Sequence, residues 1–355
     1  MSQLRVKFMA KGNRPGDEDR WLRQFPGREP SWGDCRFIFD AEATAYDWLV
    51  VYDDLAPVGT ERFSSRIERL PCPRDHTLLV TAEPASVKTY GRSFCEQFGW
   101  VLTSQEPWAL THPRVVHGQT GYRWFYGMTD AGFVDFDALA AAEPPEKTGF
   151  ASTICSSKAQ RHTLHERRLE FTAQLTKAAP ALERFGRGFR PIDDKREAID
   201  PYRLHVAIEN HVAKHHFTEK LADTFLGWAM PVYHGAPNTA EYFPPESLVS
   251  ISLQEPDAVA AKLRELDATD AWAGARTAIA EARRRVLYEY NLFATLERFI
   301  RERHAPRFTA PGGATIKGRH RARIASPLTL IGHVLERRRV RRKLRQRDKD
   351  SSALH

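Results

Sequence analysis

The sequence lacks the glycine-rich patterns that most often bind phosphate in α/β proteins. Its best candidate, residues 185–189 (FGRGF), has neither GxGxxG nor GxxxxGK[ST] spacing. That excludes a Rossmann dinucleotide fingerprint and a P-loop at this point. Cysteine is also scarce. Cys35, Cys72, Cys95 and Cys155 are scattered without CxxC spacing, which disfavours a zinc site and predicts reduced thiols.

Long apolar runs are absent as well. No stretch approaches the roughly 18 continuous apolar residues that indicate a transmembrane helix. The segment 1–21 has no apolar core of the kind found in signal peptides. From these features we expect a cytoplasmic protein.

The sequence is long enough for two domains, and its charge is distributed very unevenly along the chain. It contains 355 residues, 42% hydrophobic and 28% charged, with a net charge of +8. Residues 317–349 hold 13 Lys or Arg against Glu336 and Asp348, a local charge of +11. The predicted domains are 1–145, 146–303 and a basic tail at 304–355, with residues 135–148 as the linker.

The tail has a helical pattern from Leu328 to Leu344, with leucines and valines opposite arginines. A basic amphipathic helix is attracted to anionic lipid by about 1 kcal/mol per positive charge near the surface. We therefore predict an anionic membrane surface as the partner of residues 317–349. A disordered tail and a nucleic-acid-binding tail are the alternatives.

The most informative stretch is 204–245. An apolar strand over Leu204–Ile208 ends in Glu209-Asn210, and a helix is predicted over 219–229, with Leu221, Phe225 and Trp228 on one face. A second strand begins near Val232, so the stretch is a βαβ unit. Such units bind ligands beyond the carboxyl ends of their strands.

Lys220 falls in the first turn of that helix, where the helix dipole disfavours a cation. An anion held by the helix start and the lysine together would reverse this effect. The alternative is a solvated lysine that pairs with Glu219 or Asp223.

Two acidic positions follow predicted strands in the first half of the chain. Glu83 comes directly after the strand 76–81 and is placed to act as a general base, unless it pairs with a neighbouring Arg or Lys. Asp53-Asp54 follow the strand 47–52. They offer a weak metal site or, equally well, a cap for the next turn.

Residues 112–127 are rich in aromatic, His and Arg side chains. The candidate ligand contacts there are His117, Tyr122, Arg123 and Trp124, which suit a saccharide; plain packing is the alternative. After Phe150 a long helix is predicted, with Arg161, His162, Arg167 and Arg168 in its first half. An arginine of this group that faces a cleft would clamp a pyrophosphate in a bidentate manner.

The stretch from Glu209-Asn210 through FTEK (217–220), PVYHGAPN (231–238) and YFP (242–244) resembles glycosyltransferase family 10, the α-1,3/4-fucosyltransferases. The resemblance implies a GT-B fold, α/β with two Rossmann-like domains facing a cleft. It implies that the first domain binds the acceptor and the second binds GDP-fucose. It also implies inversion at the anomeric carbon, with neither a cofactor nor a metal in the site.

Carried over residue by residue, the resemblance assigns Glu219 to the ribose or sugar and Lys220 to the pyrophosphate. Arg168, in the pattern Arg-x-x-Phe-x-x-x-Leu, falls on the phosphate arginine, with Arg167 and Arg161 as alternatives. Thr81-Ala82-Glu83 is similar to the segment that carries the catalytic base. The donor-binding residues predicted in this way are Arg168, Glu209, Asn210, His216, Phe217, Thr218, Glu219 and Lys220.

His216-Phe217 stand where the family usually has Tyr-Val, so the resemblance leaves the sugar of the GDP-sugar open. The function implied is transfer of fucose from GDP-fucose to a hydroxyl of a cell-envelope or lipopolysaccharide glycan, at the inner face of the membrane. The alternatives are another GDP-deoxysugar in the same fold, or a non-catalytic protein that binds glycan or nucleic acid.

Overall fold

The computed structural model describes residues 3–12, 18–156, 164–305 and 313–353, the last six and residue 165 by their backbone alone. Arg161, one of the alternatives for the predicted phosphate arginine, and the nearby His162 lie outside the described residues. Two compact units are present. The first falls within residues 1–25, 29–120 and 295–355, and the second within residues 26–28 and 121–294.

The strands are short and belong mainly to two sheets. Their bounds are β1 (Leu4–Ala10), β2 (Ser31–Trp32), β3 (Cys35–Ile38), β4 (Trp48–Tyr52), β5 (Ile67–Arg69), β6 (Thr77–Val80), β7 (Trp100–Thr103), β8 (Val115–His117), β9 (Gly149–Ile154), β10 (Leu182–Phe185), β11 (Tyr202–Ile208), β12 (Met230–His234), β13 (Val249–Ser250) and β14 (Thr315–Lys317).

The α-helices range from one turn to more than seven. Their bounds are α1 (Asp19–Leu22), α2 (Arg92–Cys95), α3 (Phe136–Ala141), α4 (His165–Ala178), α5 (Arg196–Ile199), α6 (Glu219–Leu226), α7 (Pro256–Ala268), α8 (Ala271–Gly274), α9 (Arg276–Tyr288), α10 (Leu292–Arg303), α11 (Arg319–Arg323) and α12 (Pro327–Ala353). None of the helices described here is both long and apolar enough to cross a membrane.

The first unit is built on a seven-stranded sheet in the order β2-β3-β1-β4-β6-β7-β8. β2 runs antiparallel to β3, and the other pairings in the sheet are parallel. β4 reads WLVVY, with its first four residues buried, because a parallel strand is covered on both faces. The carboxyl ends of β4, β6 and β7 meet at one edge, where Tyr52 pairs with Val80 and Val80 pairs with Leu102.

The second unit holds a five-stranded parallel sheet in the order β10-β9-β11-β12-β13. β11 lies between β9 and β12, with Val206 opposite Thr153 and Ile208 opposite His234. Helices α4 and α6 are the crossovers that parallel strands require. The predicted α/β fold class with two Rossmann-like units is confirmed.

The C-terminal segment packs onto the first unit. β14 pairs with β5, with Ile316 opposite Glu68, and the fully buried Ile316 side chain joins the core of this unit. Further along, the helix predicted over 328–344 lies within α12. Val340 of α12 is 1% exposed and packs against Ala85 and Ala109.

Several boundaries differ from those predicted. Residues 121–145 group with the second unit, and residues 295–355 group with the first. The segment 135–148, predicted as a linker, contains α3, which is capped by Asp135 through the Ala138 amide. The helix predicted over 219–229 ends at Leu226, because Trp228 adopts a left-handed backbone (φ 58°) ahead of the next strand.

Candidate active site

A cavity of about 260 Å³ opens at the carboxyl ends of β9 and β11 in the second unit. This is the edge at which parallel α/β sheets bind ligands. Most of its lining comes from β11, α6 and the loop between them, and α4 and the segment before α5 each add a cation. The lining residues include Ser156, Arg168, Lys195, His205, Asn210, Glu219, Lys220 and Asp223.

The start of α6 is fixed by the strand beside it. The Thr218 side chain caps the helix by accepting from the Lys220 amide. The buried Glu209 carboxylate, at the end of β11, accepts from the Thr218 amide and the Thr218 hydroxyl, both at 2.7 Å. Gly235 is required opposite this point, since a Cβ there would lie 2.1 Å from Tyr233 Oη. Glu209 therefore braces the helix start through hydrogen bonds that are already formed.

Lys220 lies at that helix start and lines the cavity. Its Nζ is 2.9 Å from Glu219 Oε1 and 3.4 Å from Glu209 Oε2. Burial would lower the pKa of the ammonium, but the Glu219 and Glu209 carboxylates outweigh it and raise the pKa above its usual range. The lysine is thus held protonated by neighbouring carboxylates. The sequence suggested either Glu219 or Asp223 as its partner, and the structure pairs it with Glu219.

Arg168 supplies a second cation from α4. Its guanidinium donates to the Asn210 side chain and is 7% exposed. Its Nε has no hydrogen-bond partner among the described residues. Arg167 on the same helix is exposed and is absent from the cavity lining. Of the arginines proposed from the sequence, Arg168 is the one that the described structure brings to the cavity.

Sequence reasoning missed an ion pair in the same cavity. Lys195 Nζ lies 2.6 Å from Asp223 Oδ2, and the Asp223 side chain is 1% exposed. Burial raises the pKa of Asp223, and the Lys195 ammonium partly offsets that rise. A signal was present, because Asp223 follows Glu219 by one helical turn and so falls on the same face of α6.

His205 was also missed as a cavity residue. Its Nδ1 lies 2.8 Å from Ser152 Oγ on β9. Burial, together with the charges of Lys195 and Lys147, lowers the pKa of His205 to about 3. The imidazole is therefore neutral near pH 7 and adds no charge to the site.

His216 and Phe217 lie outside the cavity lining. Phe217 is 3% exposed and packs edge-on against Tyr242 and Phe243. His216 is 2% exposed, and its Nδ1 is 3.2 Å from the hydroxyl of Tyr122. Their predicted contact with the donor stays a prediction.

The four predicted acceptor contacts fall in different places. His117 ends β8 in the first unit, where its Nδ1 is 3.1 Å from the Gln105 carbonyl. Tyr122, Arg123 and Trp124 belong to the second unit. Trp124 is 1% exposed, so its ring offers no surface to a ligand in this structure. The acceptor role of these residues stays a prediction.

In the first unit Glu83 lies just beyond β6, at the carboxyl edge of the sheet, and its side chain is exposed. The neighbouring Asp53 and Asp54 each have other partners. Asp53 accepts from Lys88 Nζ at 2.6 Å. Asp54 caps a turn through the Leu55 amide and accepts from the Arg319 amide. Among the residues that the structure describes, no group of three or more His, Cys, Asp or Glu side chains could hold a metal ion.

The second-unit cavity thus combines three cations with the amino end of a helix. The cations that line it are Arg168, Lys195 and Lys220. The first residues of α6 also line it, so the amino end of this helix lies at the cavity. A helix start with adjacent cations is suited to phosphate groups. Fold and site together define an α/β unit with a candidate anion site at the carboxyl edge of its parallel sheet.

The family model of glycosyltransferase family 10 (fucosyltransferase), C-terminal part, matches residues 144–272. This segment of the chain is thus similar to that family, and the predicted resemblance is confirmed. The match covers the whole cavity lining described above.

Two relatives and one solved structure extend the comparison. A putative fucosyltransferase-like protein of Arabidopsis thaliana is 26% identical over 144 residues, which are 39% of this chain and 27% of that protein. The α-(1,3)-fucosyltransferase FucT of Helicobacter pylori is 30% identical over 60 residues, 17% of this chain and 13% of that protein. A crystal structure of an α1,3-fucosyltransferase with GDP-fucose has 15% identity and a TM-score of 0.46, covering 88% of this chain and 93% of the other.

Proposed function

We propose that this protein is an inverting glycosyltransferase that moves L-fucose from GDP-fucose to a glycan hydroxyl. We propose the 3-OH of a cell-envelope or lipopolysaccharide glycan as the acceptor. The observation that carries the proposal is the cavity at the carboxyl edge of the second sheet, where Arg168, Lys220 and the start of α6 converge. The family of residues 144–272 supports a GDP-sugar as the ligand.

The reaction is a single displacement. The acceptor oxygen attacks the anomeric carbon and forms the new glycosidic bond, while Glu83 takes the hydroxyl proton. The bond from the anomeric carbon to the β-phosphate oxygen breaks, and its electron pair leaves with GDP. Arg168, Lys220 and the amides at the start of α6 stabilise the charge that develops on the β-phosphate. With these cations in place we expect turnover without a metal ion or cofactor, and unchanged turnover in EDTA tests this.

The most direct test is a GDP-release screen that pairs each available GDP-sugar with simple acceptors such as lactose, N-acetyllactosamine, galactosides and GlcNAc. GDP release that requires both GDP-fucose and one acceptor is expected. Glycan binding with no GDP release from any donor would replace this proposal with a non-catalytic glycan-binding protein.

The base is tested by Glu83→Gln. Transfer should fall by about 10²- to 10⁴-fold, the usual contribution of a general base, while GDP affinity measured by calorimetry stays the same. Glu96→Gln changes another carboxylate of the first unit, a partly exposed one that pairs with Arg92, and should leave kcat unaltered. Full turnover by the Glu83 variant would refute its assignment.

A second candidate is the same reaction with another GDP-deoxysugar. It is favoured by His216 and Phe217, which occupy the places of Tyr-Val and are both buried. The same screen separates the two, because a kcat/KM higher for another GDP-sugar than for GDP-fucose would select this candidate.

We also propose that the tail binds an anionic membrane, which would place the protein at the inner face of the cell membrane. Beside the charge of +11 over 317–349, α12 exposes apolar side chains, among them Ile331 at 56% and Leu335 at 58%. Co-sedimentation should occur with phosphatidylglycerol vesicles but not with phosphatidylcholine vesicles, and should weaken in Ile331→Ser/Leu335→Ser. Salt-sensitive binding of random DNA, unaffected by this double change, would instead favour nucleic acid.

A further inference from the structure

The loop that carries Glu83 is held by side chains that the proposed reaction does not use. This loop, residues 82–90, follows β6 and ends at Tyr90, whose side chain is 2% exposed. The Tyr90 hydroxyl accepts from the amide of Ala82 at 2.9 Å and from the amide of Glu83 at 3.2 Å. One buried oxygen therefore fixes the two peptide units that lead into Glu83, those between residues 81 and 82 and between residues 82 and 83.

The Tyr90 hydroxyl is itself oriented. It donates to Asp53 Oδ1 at 2.7 Å, so its proton points away from the loop and both lone pairs face the two amides. Lys88 Nζ donates to the same Asp53 oxygen at 2.6 Å. Asp53 directly follows β4, and its amide donates to the Val80 carbonyl at 2.9 Å. The orientation of the hydroxyl is thus set by a residue, Asp53, that is anchored to the central strands β4 and β6.

Asp53 adopts a left-handed backbone, with φ of 75°. That conformation is unfavourable for a residue with a side chain, although Asp and Asn tolerate it best. The strained backbone brings the Asp53 carboxylate under the loop. A backbone that is maintained against strain is a recurrent mark of functional sites.

The carbonyl side of the loop is held independently. The Gln105 side chain, 3% exposed, donates to the Glu83 carbonyl at 2.7 Å and to the Lys88 carbonyl at 2.9 Å. Both the amide and the carbonyl of Glu83 are therefore bonded to buried side chains. The Glu83 residue itself is solvent-exposed.

We propose that Tyr90, oriented by Asp53, is a positioning residue that fixes the backbone of the Glu83 loop and so sets the direction of the Glu83 carboxylate toward the acceptor hydroxyl. The proposal rests on the proposed role of Glu83 as base. A base placed wrongly by a fraction of an ångström loses proton transfer without losing the donor. The signature of the role is a fall in kcat with no change in donor binding.

The test compares Tyr90→Phe with Tyr46→Phe. Tyr46 is a matched control: it lies in the same unit, is 3% exposed, and donates its hydroxyl to the Glu68 carboxylate at 2.6 Å. We expect Tyr90→Phe to lower kcat by about 10- to 100-fold, with the KM for the GDP-sugar and the GDP affinity unchanged. Tyr46→Phe should leave kcat unchanged.

Two further variants separate positioning from a general loss of structure. In a Glu83→Gln background, Tyr90→Phe should cause no further loss, because a residue that acts through Glu83 has nothing left to position. Asp53→Asn keeps an oxygen acceptor and a residue that tolerates the left-handed backbone, so it should retain most of the kcat that Asp53→Ala loses.

The outcomes are distinguishable. Wild-type kcat in Tyr90→Phe, in an enzyme that Glu83→Gln inactivates, overturns the positioning role and leaves the proposed base intact. Equal losses from Tyr90→Phe in the presence and absence of Glu83 also overturn it. Full activity of Glu83→Gln removes the base assignment and this inference with it.

Discussion

The two units differ in how their sites are assembled. In the second unit, most of the cavity comes from the consecutive elements β11 and α6, to which α4 and the segment before α5 add Arg168 and Lys195. In the first unit, the surroundings of Glu83 come from the ends of β4, β6 and β7 and from the segment after β14. A site built from one contiguous stretch leaves a readable sequence pattern, whereas one gathered from dispersed segments does not.

The largest effect should follow from removing the Glu209 carboxylate, which holds the start of α6 in the second unit. Glu209→Ala removes a buried carboxylate that holds Thr218 and faces Lys220. Loss of one partner of such a buried arrangement costs about 3–5 kcal/mol. Hydrogen exchange in β11 and β12 should accelerate and GDP binding should be lost. Glu246→Ala, an exposed change in the same unit, is the control, and equal protection in both variants would contradict the bracing role.

A change at the chain's end should weaken the first unit alone. Ile316→Ala truncates a fully buried side chain in the core of that unit, at a cost of about 2–5 kcal/mol. We expect faster hydrogen exchange in β4 and β6 with GDP affinity preserved. Ile324, which is 51% exposed, provides the control Ile324→Ala. If Ile316→Ala also weakened GDP binding, the two units would not be independent in this respect.

Lys220→Ala should have the opposite effect: it should weaken GDP binding and leave the stability of the first unit unchanged. A hydrogen bond to a charged group contributes about 1.5–3 kcal/mol, so GDP affinity should drop by about 10- to 100-fold in calorimetry. Lys177→Ala removes the same charge from an exposed position near the end of α4 and should leave affinity unchanged. Equal affinities for the two variants would exclude the phosphate role.

The smallest effect concerns pH. The pKa of His205 in the fold is about 3, below the value of about 6.5 in an unfolded chain. Protons therefore bind the unfolded state more readily below pH 6.5, and the stability due to the neutral imidazole is lost progressively as the pH falls toward 3. Between pH 7 and pH 5 the protonation of this histidine in the unfolded state should lower the free energy of unfolding by about 2 kcal/mol. His205→Phe should flatten the pH dependence of hydrogen exchange in β11 by that amount, and an unaltered slope would count against it.

Much of the second unit could be predicted from sequence because its signals are local. The strand over Leu204–Ile208, the helix start at Glu219 and the placement of Lys220 near an anion site all lie within one apolar pattern. The end of the helix could not be predicted, because Trp228 takes a left-handed backbone that its residue type does not favour. Lys195 was missed because its partner Asp223 lies on another element, and sequence spacing carries no record of that pairing.

Less of the first unit could be predicted, because its contacts also join residues on separate elements. Glu83 could be named from its position after a strand, but the hydroxyl that holds its backbone belongs to Tyr90, and the carboxylate that orients the hydroxyl belongs to Asp53. The sequence suggested a metal or a turn cap for Asp53-Asp54. Asp54 does cap a turn through the Leu55 amide, and it also accepts a backbone amide from the tail. Tertiary contacts give Asp53 a tyrosine and a lysine.

The return of the C-terminal segment to the first unit has a consequence for synthesis on the ribosome. The core around Leu49 and Leu79 is completed by Ile316, and Ala85 is covered by Val340. The second unit, nearly continuous over 121–294, can fold as soon as it emerges, whereas the first must wait for residues made much later. The amino-terminal third of this polypeptide is thus expected to mature last, and until then its incomplete core exposes apolar surface that chaperones can bind.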